Sequence, residues 1–141
     1  MAHWISDIFL FVIRLAVAWP FLKSGAIKLK DWETTLYLFE YEYKVPLLPF
    51  EWAAYTATIA EWVLPLALIL GLFTRLSALG LFILNIVAVI SYPALWASGF
   101  LDHQLWGWQL LTLIVFGGGS WCLMHNEVIR WTTTEADPPT S

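Results

Sequence analysis

Charge is scarce in this sequence. Of 141 residues, 13% are Asp, Glu, Lys or Arg, about half the share of roughly 25% in an average soluble chain. Such a chain cannot solvate an ordinary globular surface. Its net charge of −4 has no basic run in it, which excludes a nucleic-acid partner. Cysteine is scarcer still: Cys122 stands alone, so an internal disulfide or dithiol relay is excluded. There is no Gly-rich phosphate loop, no nucleophile–base pattern and no haem-ligand pair.

What is abundant is apolar sequence, 60% of the chain. It falls into four runs of about 18–22 residues, each long enough to cross a hydrocarbon core of roughly 30 Å at about 1.5 Å per residue. The runs predict spans over about 5–21, 52–73, 76–97 and 105–123. Trp4, Trp19, Trp32, Trp52, Trp96, Trp106, Trp108, Trp121 and Trp131 cluster near their ends, where indole anchors in the headgroup layer. Ala16-Val17-Ala18 has the look of a signal-peptidase site. The leading MAHWISD, however, has no Lys or Arg and Arg14 breaks the apolar core, so the first run is read as a transmembrane helix.

The predicted fold is all-α: an antiparallel four-helix transmembrane bundle over residues 1–131, followed by a polar, proline-containing tail over 132–141 that is expected to be disordered. The first connection carries a short amphipathic helix. Asp31 is its N-cap, and Trp32, Leu36, Phe39 and Tyr43 form a stripe suited to the membrane interface.

Within span one, Arg14, Ala18, Phe21, Gly25 and Lys28 share one face. A guanidinium inside a span costs roughly 2.5–3.5 kcal/mol on insertion scales, so a partner is expected. Glu61, the acid inside span two, is the expected partner. Depth arithmetic places Arg14 about 13–14 Å and Glu61 about 18 Å from one membrane face, with Asn85 and Thr112 at about 13–17 Å. These four define the expected buried polar site. Its simplest role is a clamp between helices. Lys28 and Arg75 are expected to be flanking charges that snorkel to the interface.

Cys122, Met124 and His125 bring soft and borderline ligand types together after span four, a set suited to Cu(I). Four adjacent residues rarely close a site alone, so no metal centre is expected. His103 falls on the opposite side from His3 and His125, which argues against a three-histidine site.

The residues Arg14…Phe21, Ser24-Gly25, Lys28-Leu29, Ala60-Glu61 and Leu66 to Leu79 (LALILGLFTRLSAL) resemble the DoxX family of small four-helix membrane proteins. Ala18 and Pro65 depart from its pattern, standing where glycine is common. The founding members are subunits of a membrane thiosulfate:quinone oxidoreductase, and others accompany redox-stress proteins. Some are encoded beside machinery that makes copper-responsive modified peptides. The resemblance implies an integral membrane subunit of a redox system in the bacterial inner membrane. The Arg14–Glu61 layer would then meet a quinone head, bind a small anion or pass protons, with no intrinsic cofactor and with other subunits, or further copies of the chain, as partners. A non-catalytic assembly or anchoring subunit is the alternative, and a small-molecule or metal transporter a third reading. Lys and Arg counts favour a cytoplasmic first connection; the resemblance favours cytoplasmic termini, which is the orientation expected.

Overall fold

A computed structural model describes residues 3–124. Its elements are α1 (His3–Lys30), α2 (Trp32–Tyr41), α3 (Phe50–Leu70), α4 (Thr74–Ser91), α5 (Leu95–Ser98) and α6 (Phe100–Phe116), with no strand among the described residues. Three of them, α1, α3 and α4, are long and apolar enough to cross a membrane. The 132–141 tail and His125 lie outside the described residues.

Helix ends differ from the sequence expectation for identifiable reasons. Pro20 removes one backbone bond, yet α1 continues through it to Lys30. Lys28 and Lys30 occupy its last turn, where cations complement the helix dipole. Residues 23–30 are therefore helix, and not the start of a connection. Helix α3 stops at Gly71, whose φ of 72° is left-handed. Leu72 N–H donates to Ala67 O and Gly71 N–H to Leu68 O, the paired bonds of a Schellman terminus. Helix α4 ends at Tyr92, because a residue before proline (here Pro93) is pushed out of helical geometry. Helix α6 starts at Phe100, earlier than expected, and ends at Gly117, so the triple glycine is a stop signal.

Helix α1 packs on α3 and α6, and α4 packs on the same two. Leu10, Val17, Phe21, Leu68, Leu81 and Leu110 form the core they share. Trp19, Ile59, Ile83 and Val115 remain exposed on the outer faces, as helices facing lipid require. Two backbone links fix the ends of the molecule. Lys44 N–H donates to Ser91 O at one end, and Leu123 N–H to Leu70 O at the other.

Asp31 caps α2 as expected: its carboxylate accepts from Thr34 N–H at 3.0 Å and from the Thr34 hydroxyl at 2.6 Å. Thr35 donates to Lys28 O and so ties α2 to the end of α1. A second cluster, Phe39 with Ala53 and Ala54, seats α2 on α3. The Thr34 hydroxyl, then the Thr34 amide, hold the Asp31 carboxyl below its ordinary value. A depressed value means that the cap is fully present above the unfolded carboxylate range and is lost as pH falls through the folded value. Hydrogen exchange at Thr34 and Thr35, corrected for intrinsic rates, is therefore expected to accelerate on acidification, and Asp31→Asn to flatten that response. Unchanged protection in acid would refute the cap.

Candidate functional site

Arg14 and Glu61 do not meet. The carboxylate of Glu61 takes Lys28 as its partner: Lys28 Nζ lies 2.9 Å from both Oε1 and Oε2. Ser24 completes the group, accepting from Lys28 at 2.8 Å and donating to Glu61 Oε1 at 3.2 Å. Lys28 is thus not a snorkelling end charge.

The reason lies in side-chain direction. Cα–Cβ bonds tilt toward the N-terminus of their own helix. Helices α1 and α3 run in opposite senses, since Arg14 neighbours Leu68 while Ser24 neighbours Glu61. Arg14 therefore reaches away from Glu61, and Lys28 reaches back toward it. Ser24 and Lys28 are four residues apart, one turn on the same face. The signal for this triad was in the sequence, hidden by ending span one at Phe21.

Arg14 has a different environment. It is fully buried, and Nη2 donates to Trp121 O at 2.7 Å while Nη1 reaches Leu68 O and Ile69 O at 3.4 Å. Leu68 is seven residues beyond Glu61, about 10 Å along the axis. The guanidinium sits at the negative end of the α3 dipole and so gains compensation without a carboxylate. Phe11 lies beneath it, with the ring centroid 5.2 Å from Cζ.

The other expected members of the polar layer also disperse. Asn85 pairs with His103: Nδ2 donates to His103 O at 2.8 Å, and Oδ1 lies 2.6 Å from His103 Nδ1. Thr112 donates to Trp108 O one turn back on its own helix, a local bond that leaves it out of any interhelical site. Arg75 is exposed near Gly117. Cys122 Sγ lies 3.5 Å from Thr74 Oγ1, and Met124 N–H donates to Gly71 O. No group of three His, Cys, Asp or Glu is placed to hold a metal among the described residues.

What the structure does bring together is a cavity of about 530 Å³ between the helices, roofed by Phe39, Tyr43 and Val45. Ser24, Lys28 and Glu61 are on its wall, and so is His103, contributed by α6. The remainder is mostly small and aliphatic side chains, with Phe21 and Trp106, whose ring centroids are 5.9 Å apart, among them. Its volume is that of a small-molecule site, apolar with a few convergent polar groups. His103 was missed in the sequence because residues 98–104 read as a connection.

A family model described as DoxX matches residues 9–94. A Haemophilus influenzae protein described as uncharacterized is 32% identical over 123 residues, covering 81% of this chain and 80% of its own length. No solved structure matches. The matched stretch contains Arg14, Ser24, Lys28 and Glu61 and covers more than half of the chain, which belongs to the DoxX family.

Proposed function

We propose that this protein is the membrane subunit of a quinone-linked redox system and that the quinone-type ring sits in the cavity beside the Ser24–Lys28–Glu61 triad. The observation that carries the reading is that cavity, with a near-buried ion pair on an otherwise apolar wall. An internal ion pair in a membrane protein is costly and marks a pathway or a ligand more often than not. The pair is internally neutralised, which suits an uncharged ring entering from lipid. The family resemblance supplies the redox setting, and the fold alone would not.

In this reading α1, α3, α4 and α6 form an antiparallel four-helix transmembrane bundle, and α2 lies at the interface and roofs the cavity. The protein resides in the bacterial inner membrane with cytoplasmic termini and works with a redox-active partner subunit.

Titration of the protein in lipid nanodiscs with decylubiquinone tests this. Saturable quenching of tryptophan fluorescence is expected, with Trp106 on the cavity wall as the reporter, and Lys28→Met/Glu61→Leu, which strips the polar wall from the cavity, should weaken it by about tenfold. Quenching no different from that of empty nanodiscs, together with no redox-active chain copurifying in mild detergent, would overturn it.

A further inference from the structure

Building on the ring-binding reading above, we infer that the cavity selects a ring bearing a free hydroxyl, of the phenol or hydroquinone class, and that His103 Nε2 receives that hydroxyl.

The hydrogen-bond directions lead to this assignment. Asn85 Nδ2 donates to the His103 carbonyl at 2.8 Å. The flipped amide would set oxygen against oxygen, so Asn85 Oδ1 is the atom that faces the imidazole. An amide oxygen only accepts, so His103 Nδ1, 2.6 Å away, carries the proton. In the neutral ring Nε2 is then a bare acceptor. Asn85 does not line the cavity and His103 does, so the ring edge turned to the cavity is the one with Nε2.

The triad offers no donor to complement it. Lys28 has three N–H groups, and they are matched by Ser24 Oγ, Glu61 Oε1 and Glu61 Oε2. The Ser24 hydroxyl is committed to Glu61. What remains for a ligand at that wall is a carboxylate lone pair, again an acceptor. Charge then decides between candidates: with Glu61 neutralised by Lys28, neither a cation nor an anion is favoured over a neutral donor. Ser91 is an independent indication that something polar belongs here. The residue is 3% exposed and lines the same cavity, and its hydroxyl has no partner among the described residues, a state that a ligand or water would relieve.

Calorimetric titration of the full chain in nanodiscs, with empty nanodiscs as reference, separates this inference from the reading it rests on. The probes are trimethylhydroquinone, its dimethyl ether and trimethylquinone. The hydroquinone is expected to bind about tenfold more tightly than either of the others. His103→Leu should reduce that preference to within about twofold, whereas His103→Gln, which keeps an acceptor, should retain most of it. Equal binding of the three probes, or a preference that survives His103→Leu, overturns the role of His103 and leaves ring binding standing. Binding of none of them overturns both. If His103→Leu does not fold, the ether comparison in the unaltered protein and the Gln variant decide the matter.

Discussion

Replacing Arg14 with alanine is expected to remove most of the folded protein. The guanidinium is fully buried and ties together two places distant in sequence: the last turn of α3 and the 117–124 segment that folds back over it. Its shortest bond, 2.7 Å to Trp121 O, has the length of a charge-assisted contact. Truncation leaves the carbonyls of Trp121 and Ile69 without that donor, while Leu68 O keeps Gly71 N–H; each loss costs roughly 1–3 kcal/mol when dry, and a void opens besides. A total loss of about 3–5 kcal/mol follows. Arg14→Met, which keeps volume, should recover the packing part and remain unstable by about 2–3 kcal/mol. Melting followed by fluorescence-detected size exclusion should fall by more than about 10 °C for the alanine variant. A Met variant that melts with the wild type would sink the clamp.

Gly71 supplies a second view of the same clamp. It has a φ of 72°, and a Cβ there would lie 2.5 Å from Cys122 Cα and 2.7 Å from Arg14 Nη1. Gly71→Ala should therefore cost more than the roughly 1 kcal/mol of left-handed strain alone. Both substitutions act far from the cavity, so ring binding per folded molecule should be retained. Loss of binding in protein that still melts normally would return Arg14 to the ligand site.

The sequence carried the membrane class, the apolar helices, the Asp31 cap and the face shared by Arg14, Gly25 and Lys28. It also carried the fact that an internal charge needs a partner. What it did not carry was the direction in which each side chain leans across an antiparallel pair. Depth along the axis brought Arg14 and Glu61 within a side chain's reach, but the N-terminal tilt of both side chains separates them and closes Lys28 onto Glu61 instead. Helix ends were the second obstacle. The first apolar run fades after Phe21 although α1 continues to Lys30, and the fourth run begins at Leu105 although α6 starts at Phe100. Each misplaced end hid part of the cavity wall, Ser24 and Lys28 in the first case and His103 in the second. Asn85 was recognised as polar and internal, yet its partner lies 18 residues away on α6, a pairing that no periodicity within α4 encodes.

The Lys28–Glu61 pair makes the sharpest distinction between holding and working. Side-chain exposure is 16% for Lys28 and 10% for Glu61, so the bond is largely shielded and worth more than a surface pair. Removing Lys28 strands a carboxylate with Ser24 as its remaining donor, and Lys28→Met is expected to cost about 2–4 kcal/mol. Glu61→Gln should cost less, because its amide oxygen still accepts from Lys28. With both partners gone, nothing charged is left uncompensated, and Lys28→Met/Glu61→Leu should recover much of the loss, a coupling of about 1.5–3 kcal/mol in a double-mutant cycle. Additivity within about 0.5 kcal/mol would mean that the two side chains do not act as a pair. The folded double variant then puts the decisive question. A pair retained to hold helices leaves ring affinity intact when two apolar residues replace it, since apolar packing holds as well or better. A pair retained for the ligand does not, because the carboxylate lone pair facing the cavity is lost with Glu61. The expected result is a double variant that melts close to the wild type and binds the ring about tenfold more weakly, which only a working pair produces.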